Sequence, residues 1–256
     1  MEFVKHTEID PDWIKSSRRS LINGPPNSWK TSSLATWPKP LHIVSFPGEK
    51  GTNSIPYGPG VSAYLPDELD PNANVSWSDV IDKIRRITFE ILCGKHGDIK
   101  SFAGDGLHKL YACFLAEATS GASWRGEEFE AKLYSKAHTK FLAYLDTVLR
   151  SPVEYVVFTC WDGAEKDNDL DKDSKAPRHK MPELPGKLSK LIMGEFSVVL
   201  YAKVEGIGTL RKGSWQIQPQ GDVWGAGVKC PLAIAKTLPG SCVQDWSVFE
   251  KLVIPQ

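Results

Sequence analysis

Residues 19–31 read Arg19-Ser-Leu-Ile-Asn-Gly-Pro-Pro-Asn-Ser-Trp-Lys-Thr31, and they decide how the rest of the chain is interpreted. An apolar pair near the start of this stretch predicts a short strand that ends in a turn. Gly24, Lys30 and Thr31 then match the spacing of the phosphate-binding pattern G-x-x-x-x-G-K-S/T. In that pattern backbone N–H groups face an anion, the Lys reaches the terminal phosphates, and the hydroxyl ligates Mg²⁺. The sequence therefore predicts a phosphate site at this turn.

The stretch departs from the phosphate-binding pattern at one position. Trp29 occupies the place of the second Gly, where a side chain would crowd the phosphates and where backbone freedom is usually wanted. A short helix is predicted next, and Pro38 and Pro40 end it. The alternative is an ordinary strand-to-helix turn with a surface Lys. The predicted nucleotide-binding residues are Gly24, Pro25, Pro26, Asn27, Ser28, Trp29, Lys30, Thr31 and Ser32.

The composition favours one globular domain without a large net charge. The chain has 256 residues, of which 41% are hydrophobic, enough for a sizeable core. We expect a single domain over 19–256, preceded by a polar N-terminal arm over 1–18. Thirty-one basic residues balance 31 acidic ones, so no global charge draws the protein to nucleic acid or to a membrane. Any DNA contact must be local or shared between subunits.

The cysteines and the N-terminus favour a cytoplasmic protein. Five scattered cysteines without a C-x-x-C pair argue against a zinc knuckle and against a secreted disulfide framework. The N-terminal residues lack an apolar signal core, and no run approaches the roughly 20 apolar residues that span a bilayer. We therefore expect a soluble protein that does not enter the membrane.

A second predicted strand is followed by a carboxylate. The run over 41–46, Leu41-His-Ile-Val-Ser-Phe46, is typical of a buried parallel strand. Glu49 comes just after it, at the edge where ligands bind in open α/β sheets. Glu49 is therefore a candidate catalytic base for the water that attacks a γ-phosphate, and a solvated turn Glu is the alternative. The Gly-, Pro-, Asn- and Ser-rich range 51–77 predicts a long loop or lid.

A third predicted strand ends on an Asp. Asp98-Ile-Lys-Ser-Phe-Ala-Gly-Asp105 precedes a helix, where P-loop enzymes carry the Asp that holds the Mg²⁺ water shell. Asp105 and Thr31 are therefore the candidate metal residues. The alternative is that Asp105 only caps the helix that follows.

The last third of the chain contributes a strand, a charged segment and a hairpin. The β-branched run over 153–160 predicts a buried strand, with Thr159 at its end as a candidate sensor of the γ-phosphate. The range 162–180 interleaves acidic and basic residues and predicts a mobile loop. That loop either orders on DNA or is a solvated linker. Strand patterns over 196–204 and 214–218 predict a β-hairpin appended to the sheet.

Taken in order, these elements resemble the RecA-like P-loop ATPases encoded by bacteriophages, which accompany phage annealing and recombination genes. The segments on which the resemblance rests are Gly24-Pro-Pro-Asn-Ser-Trp-Lys-Thr-Ser-Ser-Leu-Ala-Thr-Trp-Pro-Lys-Pro-Leu, Asp105-Gly-Leu-His-Lys-Leu-Tyr, Val156-Val-Phe-Thr-Cys-Trp, and Leu184-Pro-Gly-Lys before a hairpin. The resemblance implies an α/β fold with a mostly parallel central sheet flanked by helices. It also implies ATP and Mg²⁺ binding, single-stranded DNA binding, and a homo-oligomeric ring or filament. A phage annealing or single-strand-binding protein is a further expected partner.

The sequence thus predicts an ATPase that acts on single-stranded DNA in recombination, with Lys30, Glu49 and Thr159 as its catalytic residues. An alternative of a different class is a degenerate P-loop protein that does not hydrolyse ATP and serves as a structural or assembly subunit. DNA bases would stack on aromatic side chains and the backbone would contact cations. The expected contributors are Tyr57, Tyr64, Trp161, Trp215, Lys203, Arg211, Lys212 and the basic residues of 166–180.

Overall fold

The computed structural model describes residues 18–49, 51–64, 76–120, 127–164, 180–206, 210–220, 223, 226–230 and 232–253. The predicted N-terminal arm lies outside these ranges except for Arg18. The strands are β1 (Arg19–Gly24), β2 (Leu41–Ser45), β3 (Val61–Tyr64), β4 (Ser101–Asp105), β5 (Tyr155–Ala164), β6 (Lys180–Pro182), β7 (Val198–Glu205), β8 (Lys212–Gln216), β9 (Gly227–Val228) and β10 (Ser241–Val243). The helices are α1 (Lys30–Ser33), α2 (Trp77–Leu92), α3 (Leu107–Thr119), α4 (Glu127–Leu149), α5 (Leu188–Glu195), α6 (Leu232–Ala235) and α7 (Trp246–Val253). Two 3₁₀ turns cover Leu34–Thr36 and Gly51–Ser54.

One sheet forms the centre of the molecule, with the strand order β10-β8-β7-β1-β5-β4-β2-β3. The six strands from β7 to β3 in this order are parallel to their neighbours. The strands β8 and β10 extend the sheet in antiparallel fashion. The six parallel strands end at one common edge of the sheet. At that edge β1 is followed by the predicted phosphate loop. The prediction of an α/β fold with a mostly parallel central sheet flanked by helices is confirmed.

Both faces of the sheet are covered, as a parallel sheet requires. Successive residues of a strand point to opposite faces, so Leu21 packs in one core and Ile22 in the other. The first core includes apolar residues of α2, α3 and α4. The second includes residues of the 3₁₀ turn after α1 and of α7. This double burial fixes the positions of the strand ends that carry polar residues.

Helix α2 begins and ends at residues that commonly bound helices. Ser76 is the N-cap and accepts a hydrogen bond from the Asp79 N–H, which satisfies one of the free donors of the first turn. Gly94 follows the helix with a φ of +73°, the left-handed conformation that ends many helices.

Two predicted regions differ in the structure, and a third has an additional strand partner. Within 51–77 the residues Val61–Tyr64 form a parallel edge strand on β2, and 65–75 lie outside the described residues. The ends of 162–180 are paired, because β5 continues to Ala164 and binds β6 in antiparallel fashion; residues 165–179 are not described. The predicted hairpin over 196–204 and 214–218 is present as the antiparallel pair of β7 and β8, and β7 also pairs in parallel with β1. In each case a neighbouring strand supplies the partner, and local composition carries no information about that neighbour.

Candidate nucleotide-binding and catalytic site

The loop between β1 and α1 contains three residues with a positive φ. Gly24 has a φ of +154°, and a Cβ there would lie 2.6 Å from the carbonyl oxygen of Ala202 in β7. Asn27 and Trp29 both have a φ of +61°. The position of the second Gly in the pattern therefore keeps a left-handed backbone although a Trp occupies it. That conformation costs a residue with a side chain on the order of 1–3 kcal/mol.

Lys30 is buried within this loop. Its exposed fraction is 6%, so the alternative of a surface Lys on an ordinary turn is wrong. Its ammonium donates hydrogen bonds to the carbonyl oxygens of Gly24 at 2.8 Å and Pro25 at 2.7 Å, and to Ser28 Oγ at 3.3 Å. Burial lowers the pKa of Lys30, while nearby acidic groups act in the opposite direction. The loop thus surrounds a single cation.

Two hydroxyl groups converge on the carboxylate of Asp105 at the end of β4. Asp105 Oδ1 accepts hydrogen bonds from Thr31 Oγ1 at 2.9 Å and from Thr159 Oγ1 at 2.5 Å. The Thr159 hydroxyl in turn accepts from the Gly106 N–H at 2.9 Å. The N-cap of α3 is Gly106, and no side chain caps this helix. The alternative that Asp105 is only a helix cap is therefore wrong.

The chemistry of these groups fits Mg²⁺. Asp105 Oδ2 is buried and has no hydrogen-bond partner among the described residues, and Thr31 presents its hydroxyl to the same carboxylate. Burial raises the pKa of Asp105 to about 6, against the hydrogen bond from Thr159, and a cation would offset that penalty. No group of three His, Cys, Asp or Glu suited to a metal occurs in the described ranges. Mg²⁺ needs none, since it commonly uses one or two protein oxygens with phosphate and water.

Glu49 is held beside the end of β4. Its side chain is 10% exposed, and Oε2 lies 4.0 Å from His108 Nε2. Its Oε1 accepts a hydrogen bond from the Gly51 N–H at 3.3 Å. A Cβ on Gly106 would come within 3.1 Å of Oε2, so the glycine gives the carboxylate its space. The alternative of a solvated turn Glu is wrong.

His108 was not predicted from the sequence and lies in the same site. Its ring stacks on Trp161 with centroids 4.8 Å apart, and Nδ1 accepts a hydrogen bond from the Trp161 N–H at 3.4 Å. Burial lowers the pKa of His108 to about 4, so the ring is neutral at pH 7. Because Nδ1 accepts, the proton is on Nε2, the atom that faces Glu49. The sequence did contain a signal for His108 as a site residue. It follows Asp105 by three residues and therefore lies in the first turn of α3, beside the strand end.

The remaining predicted residues have distinct positions. Trp29 is 41% exposed, and a Cβ on Gly213 would lie 2.8 Å from its Cε3. Its ring therefore contacts β8, on the opposite side of β1 from Asp105. Ser32 Oγ donates to the Trp29 carbonyl oxygen at 3.1 Å. Pro26 and Asn27 are exposed at the tip of the loop.

The aromatic residues expected to stack on DNA divide into two groups. Trp215 is fully buried in the core, with its ring 5.4 Å from that of Trp37, so the prediction that it stacks on DNA is wrong. Tyr64 is half-buried, and its hydroxyl lies 3.1 Å from His42 Nδ1. Tyr57 is 52% exposed, and Trp161 is half-buried beside the site.

Comparisons with known proteins identify one protein family. A family model described as an AAA domain matches residues 16–221, and this match ends before β9, β10 and α7. No curated protein matches the chain. Among solved structures, the flagellar accessory protein FlaH from Methanocaldococcus jannaschii is similar over 83% of this chain and 82% of its own, with a TM-score of 0.40 and 10% identity. None of the helices in the described ranges has the length and apolar character to cross a membrane.

Proposed function

The chain belongs to the AAA domain family, and we propose that it is an ATPase that binds ATP with Mg²⁺ between the β1–α1 loop and the end of β4. The observation that carries this proposal is the hydrogen bond of 2.9 Å between Thr31 Oγ1 and Asp105 Oδ1. It joins the loop hydroxyl and the strand-end carboxylate that P-loop enzymes use together, although 74 residues separate them.

Binding of the triphosphate rests on the loop and on Lys30. The Lys30 ammonium donates to neutral carbonyl and hydroxyl oxygens. Phosphate oxygens carry charge and make stronger hydrogen bonds to an ammonium. If phosphate oxygens replaced the carbonyl and hydroxyl oxygens as hydrogen-bond acceptors, Lys30 would bind the terminal phosphates and stay within the loop. Bound Mg²⁺ would neutralise the charge that develops on the phosphates. Thr31 and Asp105 would hold it.

Hydrolysis needs a base for the attacking water, and Glu49 is suited to that role. As the water oxygen bonds to the γ-phosphorus, the bond to the bridging oxygen of ADP breaks and Glu49 takes the water proton. His108 presents an Nε2–H toward Glu49 Oε2 at 4.0 Å. That separation is too long for a direct hydrogen bond. We assign His108 the role of positioning Glu49 and the water between them. Thr159 fixes the orientation of Asp105 and through it responds to the γ-phosphate.

Lys30→Met tests the nucleotide site, because Met keeps the length of the side chain and removes its charge. We expect ATP affinity to fall at least about tenfold and hydrolysis to be lost, as expected for a charge-assisted contact. The control is Lys39→Met, at an exposed position on the same connection. Circular dichroism establishes that both variants are folded. Unchanged ATP affinity in Lys30→Met would contradict the proposal. ATP binding without hydrolysis in the unmodified protein would favour the structural or assembly subunit instead.

Single-stranded DNA is proposed as the partner of this ATPase, as part of recombination or annealing. The supporting observation is a cation over a half-buried aromatic ring of β5, with further cations on β7 and at the start of β8. Lys109 Nζ lies 4.9 Å from the Trp161 ring centroid. Arg211 and Lys212 are exposed, and Lys203 is half-buried on the neighbouring strand β7. Such a ring and such cations suit the bases and the backbone of a single strand.

DNA binding is measured by fluorescence anisotropy of a labelled oligonucleotide with ATP and Mg²⁺ over a salt series. We expect affinity to fall steeply with salt, because each neutralised phosphate releases counterions. Arg211→Gln combined with Lys203→Gln should reduce the salt slope by roughly 1–2. The matched control is Lys83→Gln with Arg86→Gln, at a half-buried and an exposed position of α2. Absence of binding at low salt would contradict this partner. Assembly into a ring or filament stays a prediction, which light scattering with ATP would check.

A further inference from the structure

We propose that a cavity beside Trp29 binds the base and ribose of the nucleotide, with the Trp29 ring as the contact surface for the base. This inference rests on the proposed function, since it extends the phosphate site to the rest of the ligand. The cavity has a volume of about 720 Å³. Sites for small molecules commonly span roughly 300–1,000 Å³.

The cavity lies on one side of the β1–α1 loop. Its wall is formed by Trp29, by Ser32 and Thr36 after the loop, and by Lys212, Ser214 and Ser241 of β8 and β10. The strands β7 and β8 are on one side of β1, and β5 and β4 on the other. Trp29 and the cavity are therefore separated from Asp105 by the loop itself.

This separation sets the direction of a bound nucleotide. The γ-phosphate belongs beside Thr31, Asp105 and Glu49, where the metal residues and the base are. The 3₁₀ turn Gly51–Ser54 closes that side of α1, since a Cβ on Gly51 would lie 2.5 Å from Thr31 Oγ1. The α-phosphate must then leave the loop in the opposite direction. The cavity beside Trp29 is the space it meets.

Contacts around Trp29 hold its ring in place before any ligand binds. The Arg211 guanidinium lies over the ring at 5.7 Å from its centroid. A Cβ on Gly213 would approach the ring and Gln244 Oε1 to 2.8 Å each, so the wall closes tightly only because residue 213 is a glycine. A left-handed backbone at Trp29 is costly, and a ring that contacts the ligand gives this position a function. Pre-ordered aromatic surfaces bind bases without paying to order them.

The test compares ATP with inorganic tripolyphosphate, each with Mg²⁺, by isothermal titration calorimetry on the full chain. Tripolyphosphate carries the phosphate contacts without base or ribose, so the ratio of the two dissociation constants measures the cavity alone. We expect the unmodified protein to bind ATP about tenfold or more tightly than tripolyphosphate, as stacking on an aromatic side chain provides. Trp29→Gly, which keeps the left-handed backbone, should bring the ratio close to one, and Trp29→Phe should restore most of it.

A second variant tests the cavity from its opposite wall. Ser241→Trp fills the space from β10 without altering the phosphate loop, and we expect it to weaken ATP binding about tenfold while tripolyphosphate affinity stays within about twofold. Equal affinities for ATP and tripolyphosphate in the unmodified protein would overturn the base site and leave the phosphate site standing. An unchanged ratio of the two dissociation constants in both Trp29→Gly and Ser241→Trp would also overturn the base site. Trp29 would then be assigned to a contact between protein molecules. Absence of binding to either ligand would overturn the proposed function, and this inference with it.

Discussion

His108 is a buried imidazole whose protonation is set by its surroundings. The groups that face it are Glu49, Lys109, Lys30 and the stacked ring of Trp161. Burial is the largest cause of its low pKa, and the two lysines act in the same direction.

Phosphate-loop spacing identifies Lys30 and Thr31 from sequence alone, and the end of a predicted strand before a helix identifies Asp105. His108 has no such motif, and its role depends on the fold bringing α3 beside the Glu49 turn.

The low pKa of His108 predicts a loss of stability in acid. Its pKa is about 4 in the folded protein and about 6.5 in the unfolded chain. Between those values the unfolded chain binds more protons, so the free energy of unfolding falls as pH falls from about 6.5 to about 4. His108→Gln keeps a donor and removes this titration, so it should lose less stability over the same interval. Urea unfolding at pH 7 and pH 4.5 measures the difference. His96→Gln, at an exposed site, is the control, and an identical loss in His108→Gln and the unmodified protein would contradict the prediction.

At the scale of elements, the phosphate loop is tied to the antiparallel part of the sheet. The side-chain Nε2 of Gln244, just after β10, donates to the carbonyl oxygens of Ser28, Lys203 and Ser214 at 3.0, 3.2 and 3.1 Å. One amide therefore joins the loop, β7 and β8. Sequence patterns predict β1, β2, β4, β5 and β7, whose apolar runs are strong. They miss β3 and β6, which are short; β3 pairs with the free edge of β2, and β6 pairs with the end of β5 that extends beyond β1 and β4.

Gln244→Glu tests this connection, because the two side chains have the same shape and a carboxylate cannot donate. We expect the variant to lose about 1–3 kcal/mol of unfolding free energy, the cost of leaving buried acceptors without a donor. Tripolyphosphate affinity should also fall, since the Ser28 carbonyl holds the loop beside Lys30. Thermal unfolding and calorimetry measure the two effects. Gln220→Glu, at an exposed position nearby, should change neither quantity, and a Gln244→Glu protein as stable as this control would contradict the argument.

For the whole molecule, the nucleotide site depends on a second core that the local patterns do not reveal. The rings of Trp37 and Trp246 stack with centroids 4.7 Å apart, and the Trp246 N–H donates to Thr36 Oγ1 at 2.9 Å. Trp215 and Phe249 complete this cluster, with centroids 6.3 Å apart. The cluster joins the turn that follows α1 to α7, more than 200 residues later. A sequence pattern gives the faces of α7, and only the fold gives the partner of its buried face.

Trp246→Ala removes the centre of this cluster and tests how far the site depends on it. Trp246 is 1% exposed, and deleting a buried aromatic side chain costs about 3–5 kcal/mol because a cavity remains. We expect that loss in unfolding free energy, with ATP affinity lowered because the turn after α1 loses its support. Val248→Ala is the matched control on the same helix, since Val248 is 39% exposed, and it should cost less than about 1 kcal/mol. Denaturant unfolding measures both variants, followed by ATP titration at a temperature where each is folded. If Trp246→Ala is destabilised as expected but binds ATP with unchanged affinity, α7 stabilises the fold without shaping the nucleotide site.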